Sequence, residues 1–345
     1  MFFGGKKSGI GLDIGTNSLK VVELSNISKK PTLVRYGIKE LPPDVIVDNH
    51  IMDPLLLTET AQGILVESSI TAKKINLGIQ GKYVMVKKIT TDLMNDNEYN
   101  HQVRFDAQNN FPFDFEDIDI MLDYHILGKN KQDKTMDVLL IAAQAGFIDQ
   151  YVDPISEANI KINSVDINIF ALHNIYEKTV GIPEDEFIIF AHTGADFLLL
   201  NFVVDGHPVI CRDINAIGTY QIINDMIRKL GISEDEAKKI IKGETPPPPD
   251  QTVTVSQVYG ELIEEITNNI SKLEDTAIRN KADKIILSGG GVFIPRIKEV
   301  MEENLKRPVE IFNPFDYIQV PEEDRENLQK IGPVLTIAAG LALRG

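Results

Sequence analysis

Two glycine-rich segments, far apart in the chain, most constrain what it can fold into. The first runs from Gly11 to Lys20 and the second from Ser288 to Gly291, each at the end of an apolar run typical of a buried strand. Glycine lets the backbone turn tightly and approach a bound group closely. The candidate ligand-binding residues are Asp13, Gly15, Thr16, Asn17, Ser18 and Lys20 in the first segment and Ser288, Gly289, Gly290 and Gly291 in the second. The pair predicts one nucleotide-binding cleft between two lobes.

The first segment carries residue types that bind phosphate and magnesium. The hydroxyl and amide groups of Thr16, Asn17 and Ser18 suit phosphate oxygens when they lie in a turn. Asp13, at the end of the predicted strand, is placed to hold a hydrated Mg²⁺, because this ion keeps several of its waters and needs few protein carboxylates. An ordinary β-hairpin is the alternative interpretation, since Val21–Leu24 continues as a strand.

The composition excludes several classes of function. A chain of 345 residues with 43% hydrophobic content predicts a globular protein of about two lobes. Its 51 acidic and 35 basic side chains give a net charge of −16, which opposes binding to nucleic acid or anionic lipid. The single cysteine, Cys211, excludes an intrachain disulfide, and the six histidines lack zinc-site spacing. No apolar run is long enough to cross a bilayer and residues 1–7 lack the order of a secretory signal, so we expect a cytoplasmic protein.

The order of predicted elements indicates two similar lobes. Residues 187–214 repeat the strand, glycine turn and strand of residues 10–38, and residues 84–168 read as a small inserted β/α unit. The predicted divisions are residues 1–83 for the first lobe, 84–168 for the inserted unit, 169–186 for a connecting helix, 187–332 for the second lobe with a helical part at about 219–278, and 333–345 for a C-terminal helix.

Local signals predict where several helices begin. Asp53 is a suitable N-cap ahead of Pro54, and Ser233 begins a capping box. A long amphipathic helix is predicted over residues 255–277, and the glycines after Ser288 are predicted to form a flexible turn.

These motifs resemble those of a known superfamily. The segment Asp13–Lys20 looks like the first phosphate motif of the actin-like ATPases, and Leu287–Gly291 looks like their adenosine motif. Within that superfamily the chain resembles, nearly end to end, the PilM family of type IV pilus assembly proteins. The segments that carry this resemblance are Phe111-Pro112-Phe113, residues 138–143, Val165-Asp166, Phe170-Ala171-Leu172, Arg212-Asp213-Ile214 and residues 337–344.

The resemblance implies an α/β fold of the two-lobed actin-like ATPase (ribonuclease H-like) type, with an FtsA-type subdomain inserted in the first lobe. It implies that ATP or ADP binds with Mg²⁺ between the lobes, with Asp13 at the metal and Gly194 and Ala195 in a second phosphate turn. It also implies an adaptor whose inserted unit captures the N-terminal cytoplasmic tail of a PilN-like inner-membrane protein. The chain is then expected to be peripheral to the inner membrane through its partners, without a direct membrane anchor.

The second phosphate turn departs from the superfamily pattern. Where actin-like ATPases usually have Asp this chain has His192, and Asp196 follows four residues later. If residues 196–198 are extended, Asp196 shares a face with residue 198 and is poorly placed to replace that carboxylate. The helix Glu236–Lys242 matches only in part the Glu and Lys that family members offer to ribose and base. Phosphoryl transfer depends on positioning and charge stabilisation, so we expect hydrolysis to be weak or absent.

Two other functions stay open as alternatives to the adaptor. A small-molecule kinase of the same superfamily needs a catalytic carboxylate in the cleft, and His192 argues against it. An FtsA-like division filament needs a C-terminal amphipathic membrane anchor, and the residues up to Gly345 are not of that type.

Overall fold

Strands and helices alternate along most of the chain, for which a computed structural model describes residues 8–71, 74–277 and 281–344. The strands are β1 (Ser8–Ile14), β2 (Ser18–Ser25), β3 (Thr32–Glu40), β4 (Ile46–Val47), β5 (His50–Ile51), β6 (Lys74–Ile79), β7 (Val84–Asp92), β8 (Ile120–Asn130), β9 (Thr135–Gln144), β10 (Lys161–Ile167), β11 (Phe187–Thr193), β12 (Phe197–Val204), β13 (His207–Asn215), β14 (Lys284–Ser288) and β15 (Val309–Ile311). The α-helices are α1 (Pro54–Glu67), α2 (Asp96–Asn110), α3 (Ala145–Glu157), α4 (Asn168–Thr179), α5 (Thr219–Leu230), α6 (Glu234–Ile241), α7 (Thr252–Glu274), α8 (Ile297–Leu305), α9 (Glu322–Ile331) and α10 (Thr336–Leu341). Residues 1–7, which we expect not to be a secretory signal, lie outside the described residues. So does residue 345, the last of the predicted C-terminal helix.

Two five-stranded sheets share one topology. The first sheet has the strand order β10-β6-β1-β2-β3. The second has the order β13-β12-β11-β14-β15, which is the same arrangement listed from the opposite edge. In each sheet the first three strands in sequence pair antiparallel. A fourth strand pairs parallel with the first, and a fifth pairs parallel with the fourth. Both central strands, β1 and β11, are buried almost throughout, as their apolar sequences require. The repetition predicted from the sequence is therefore confirmed, and we call the two halves the first and second lobes.

A third, three-stranded sheet of order β7-β9-β8 forms a small unit with α2. Its own apolar core includes Tyr99, Phe111 and Val138. The predicted unit continued to residue 168, but α3 packs against α1 and β10 pairs with β6 of the first sheet. Residues 145–168 therefore contact the first lobe, and we propose 84–144 as the extent of the small unit. The other predicted divisions stay predictions.

The helix-start signals operate as predicted. The Asp53 carboxylate accepts from Leu56 N at 3.0 Å, with Pro54 as the first residue of α1, and Ser233 forms a capping box with Glu236 at α6. Helix α7 begins three residues before the predicted start and ends at Glu274. The glycines after β14 differ from the predicted flexible turn, because Gly290–Phe293 forms a 3-10 helix whose Gly291 and Val292 are buried.

Helix α10 fixes the strand that carries Asp13. It lies between β1 and α4, and two glycines allow the close approach. A Cβ atom on Gly340 would lie 1.9 Å from the carbonyl oxygen of Ala171, and one on Gly11 would lie 2.1 Å from that of Ala338. Because backbone atoms cannot move aside as a flexible side chain can, both positions require glycine.

We expect Gly340→Ala to lower the free energy of unfolding by about 3 kcal/mol, because the added methyl group overpacks the contact of α10 with α4. Gly260→Ala is the matched control, since Gly260 lies inside α7 with no atom within 4 Å of its Cβ position. That change should raise the free energy of unfolding by about 0.5 kcal/mol or more through helix propensity. Urea denaturation measures both, and effects of the same sign would contradict the prediction.

Candidate functional site

Two hairpin turns, each closed by the same backbone hydrogen bond, face each other between the lobes. In the first, between β1 and β2, Gly15 N donates to Ser18 O at 3.1 Å; in the second, between β11 and β12, Gly194 N donates to Phe197 O at 2.8 Å. These bonds close each turn on its strand side. The remaining turn residues are directed to the cleft between the lobes.

The cleft brings together most of the residues predicted from the sequence. The predicted residues on its wall are Asp13, Gly15, Thr16, Asn17, Ser18, Lys20, Gly194, Ala195, Gly289 and Gly290. The wall also contains His192 and Asp196, the residues at which the second phosphate turn departs from the superfamily pattern. Six further wall residues were not indicated by the sequence, namely Gln80, Phe197, Leu199, Thr219, Val334 and Ile337. Segments of both lobes that are far apart in the sequence therefore meet at one place.

Two predicted site residues lie behind the wall instead. Ser288 is fully buried, and its hydroxyl lies 3.0 Å from Nδ1 of His192. Gly291 is also buried, and a Cβ there would lie 2.5 Å from the Cβ of Thr193. Both residues pack the Gly289–Gly290 turn against β11, so their contribution is to hold the turn in place. Sequence spacing alone does not separate such supporting residues from those on the surface.

A buried ion pair lies at the base of the first turn. Lys20 Nζ is 3.3 Å from the Asp13 carboxylate and also donates to Ser18 O at 3.3 Å. Gly15 leaves room for this ammonium group, since a Cβ there would lie 3.0 Å from Nζ. The pair puts a cationic donor and a carboxylate side by side on the cleft wall. Such a pair suits an anionic ligand bound together with a metal ion.

The two residues that depart from the superfamily pattern lie on the opposite wall. Burial, reinforced by the charge of Lys20, lowers the pKa of His192 to about 3, so its imidazole is neutral near pH 7. Asp196 lines the cleft, and burial together with the charge of Asp48 raises the pKa of its carboxyl group. The prediction that Asp196 is poorly placed assumed an extended residue, whereas β12 begins at Phe197 and Asp196 lies in the turn.

Polar contacts join the lobes around the cleft. They are Tyr220 Oη to Asn17 Oδ1 at 3.1 Å, Lys242 Nζ to the Glu40 carboxylate at 3.7 Å, and Gly81 N to Asp213 Oδ2 at 2.6 Å. Burial raises the pKa of Asp213 to about 6, although the Gly81 N–H and the charge of Arg212 act in the opposite direction. The first contact ties a residue of the first turn directly to α5 of the second lobe.

A second cavity, of about 490 Å³, lies within the second lobe. Its walls come from the end of α6, the loop containing Pro246 and Pro247, one side of α7, and Pro295 with Arg296. The segment that contributes Gly289 and Gly290 to the cleft thus reaches this cavity within a few residues. The lining is mainly apolar and includes Ile240, Val255 and Tyr259.

Other chemistry is not assembled in the described part of the chain. Within residues 8–71, 74–277 and 281–344, no three His, Cys, Asp or Glu side chains are grouped so that they could hold a metal ion. Over the same residues no helix has the length and apolar character needed to cross a membrane. Burial chiefly raises the pKa of the Cys211 thiol, which keeps it protonated near pH 7.

The fold of this chain is similar to that of several solved structures. The PilM–PilN type IV pilus biogenesis complex superposes with a TM-score of 0.85 at 21% identity, covering 97% of this chain and 98% of that chain. The ethanolamine utilization protein EutJ from Carboxydothermus hydrogenoformans gives 0.58 at 13% identity, over 98% and 90% of the two chains. MreB5 of Spiroplasma citri bound to AMPPNP gives 0.51 at 12% identity, over 97% and 94%. The architecture is therefore the two-lobed actin-like ATPase fold.

The sequence itself matches a family over almost its whole length. The family described as type IV pilus assembly protein PilM matches residues 11–345, which include both turns of the cleft, the small unit and α10. The chain therefore belongs to the PilM family of type IV pilus assembly proteins.

Proposed function

We propose that this protein is a cytoplasmic adaptor of type IV pilus assembly that binds ATP or ADP with Mg²⁺ in its cleft and captures the N-terminal tail of a PilN-like inner-membrane protein. The observation that carries the nucleotide part is the pair of facing turns with the Asp13–Lys20 ion pair at the base of the first turn. The partner part rests on the family and on the exposed apolar side chains of the small unit. The protein then reaches the inner membrane through PilN.

The cleft has the donors that a polyphosphate requires. Lys20 supplies a cationic N–H donor, Thr16 and Ser18 supply hydroxyl groups, and the glycines of both turns keep side chains away from the ligand. The segment after Gly290 leads to the second cavity, whose apolar lining suits a base and ribose. A related fold, that of MreB5, is known with bound AMPPNP. A nucleotide is the ligand that uses both regions.

Charge on the cleft wall favours a divalent cation as part of the ligand. Asp13 and Asp196 place two carboxyl groups on the wall, against one ammonium group from Lys20. A triphosphate brought into this setting meets like charges, and Mg²⁺ bound between them removes that repulsion. Asp13 is the residue that would hold the hydrated ion.

The neutral imidazole of His192 supports weak or absent hydrolysis. It stands at the residue where actin-like ATPases usually have Asp, and its Nδ1 contacts the Ser288 hydroxyl. A neutral ring cannot help to organise Mg²⁺ or an attacking water as a carboxylate does. We propose that nucleotide binding serves to set the angle between the two lobes, and that it does not serve mainly as the first step of hydrolysis.

The small unit offers an apolar surface for a peptide. Phe105 on α2 is 59% exposed and Met121 on β8 is 57% exposed, with Ile118 nearby in sequence also exposed. Large apolar side chains on a small unit are typical of contact sites for a partner. The similar PilM–PilN complex shows that a protein of this fold assembles with PilN. A PilN-like tail is therefore the partner that we propose for this chain.

The function is tested by calorimetric titration with Mg-ATP and with a synthetic peptide of the PilN cytoplasmic N-terminus from the same genome, while phosphate release is followed. Binding of both ligands with negligible phosphate release supports the adaptor. Steady phosphate release without peptide binding would instead support a small-molecule kinase or another enzyme.

We expect Asp13→Asn to weaken ATP binding about tenfold in Mg²⁺ and to have little effect in EDTA, where the freed Lys20 ammonium still contacts phosphate. The measurement is calorimetry in the two buffers. Asp133→Asn, in the exposed β8–β9 turn, is the control and should leave both affinities unchanged. An Asp13→Asn variant with the wild-type dependence on Mg²⁺ would refute the metal assignment.

His192→Asp should raise the rate of phosphate release severalfold, because it returns a carboxylate to the second turn. His192→Asn has a similar size without the charge and should stay at the wild-type rate. Both variants are compared by phosphate release under saturating Mg-ATP, after circular dichroism has verified their fold. Equal rates for the two variants would show that the carboxylate does not limit hydrolysis.

Phe105→Ser should weaken binding of the PilN peptide at least fivefold and leave ATP affinity unchanged, because about 2 kcal/mol of apolar contact is lost from the small unit alone. Val253→Ser is the matched control, since Val253 is 71% exposed but lies on α7 in the second lobe. Fluorescence anisotropy of the labelled peptide measures both. Equal losses in the two variants would argue against the small unit as the binding site.

A further inference from the structure

The shared topology of the lobes relates Gln80 to a residue of the glycine turn. When Gly15 is matched to Gly194 along the two central strands, Leu12 corresponds to Ala191. Leu12 pairs with Leu77 of β6, and Ala191 pairs with Leu287 of β14. Three residues farther along each parallel strand the chain reaches Gln80 in the first lobe and Gly290 in the second. Both residues line the cleft.

This relation places Gln80 at the end of the ligand that is opposite the nucleoside. Strand β6 belongs to the first lobe and β14 to the second, and the residues reached at their carboxyl ends, Gln80 and Gly290, both line the cleft. Ligands of open α/β sheets bind outside the carboxyl ends of such strands. If the nucleoside lies beside the Gly290 turn and the second cavity, the terminal phosphate points to the carboxyl end of β6. Gln80 is the first residue beyond that strand.

The Gln80 side chain is oriented by a buried neighbour. Asn168, the first residue of α4, is 1% exposed, and its Nδ2 donates to Gln80 Oε1 at 2.9 Å. This bond uses the carbonyl oxygen of Gln80, and the other terminal atom, Nε2, carries only N–H donors. An amide that presents donors suits a phosphate oxygen and adds no charge next to the Asp13–Lys20 pair.

The backbone around Gln80 is held as firmly as its side chain. Gly81 N donates to Asp213 Oδ2 of the second lobe at 2.6 Å. Gly81 has φ of +113°, and a Cβ there would lie 2.2 Å from Asn49 Nδ2, so the position requires glycine. The contact between the lobes therefore fixes the residue next to Gln80.

We infer that Gln80 donates a hydrogen bond from Nε2 to the terminal phosphate of a bound nucleoside triphosphate, and that it distinguishes triphosphate from diphosphate. The inference rests on the proposed nucleotide binding and adds a specificity-determining residue to that site. A hydrogen bond to a charged phosphate is strong enough to change the preference between the two nucleotides by about tenfold.

The test is calorimetric titration of the full chain and its variants with Mg-ATP and with Mg-ADP. Gln80→Ala should weaken ATP binding about tenfold and ADP binding less than about twofold. Gln80→Glu should weaken ATP binding further, because a carboxylate then faces the phosphate. Gln132→Ala, in the exposed β8–β9 turn, is the control and should bind both nucleotides as the wild type does.

Gln80→Asn keeps the amide group but shortens the side chain by one methylene group, which moves the amide away from the ligand. This variant replaces Gln80→Ala in the test if Gln80→Ala does not fold. It should show the same selective loss of ATP affinity. Equal losses for ATP and ADP, or no loss, would overturn the assignment of Gln80 while nucleotide binding stands. A wild-type protein that binds neither nucleotide would overturn the proposed function as well, so the two failures are distinguishable.

Discussion

The backbone hydrogen bond that closes the first turn of each sheet is the constraint on which the site depends. The bonds from Gly15 N to Ser18 O and from Gly194 N to Phe197 O close the turns at the ends of β1 and β11 in the same way. In each turn the glycine N–H is used in this hydrogen bond, and the other residues of the turn line the cleft. The orientation of Asp13, Lys20 and Asp196 follows from these two turns, because each side chain lies within two residues of one of them.

Close packing behind the turns keeps them in register. Helix α10 lies against β1 through Gly11, and its Gly340 meets the backbone of α4. On the other side, Ser288 and Gly291 pack the Gly289–Gly290 turn against His192 and Thr193. Under the second turn the packed residues are small or neutral. Under the first turn Asp13 and Lys20 are charged and largely buried, and they compensate each other.

Much of the site could be predicted from sequence because its residues follow strands directly. Asp13 to Lys20 and Gly194 to Ala195 are continuous segments, and a strand followed by glycine has a characteristic pattern. Gln80 gave no such signal, since it is an isolated polar residue after an apolar strand. Asp196 was expected to be extended, but it lies in the turn and directly precedes β12. Our proposal that the small unit ends at residue 144, and not at 168, rests on the pairing of β10 with β6, which lies far away in sequence.

The sequence by itself determined the two-lobed α/β class, the capped helix starts and the family, because these depend on local periodicity, local hydrogen bonds and matching along the chain. Only the tertiary structure decided which residues face the cleft and which support it. That choice depends on pairing between distant strands, such as β1 with β6 and β11 with β14, and on burial, which made His192 neutral and oriented Gln80 through Asn168. No local pattern encodes such contacts, since the partners lie far apart in the sequence.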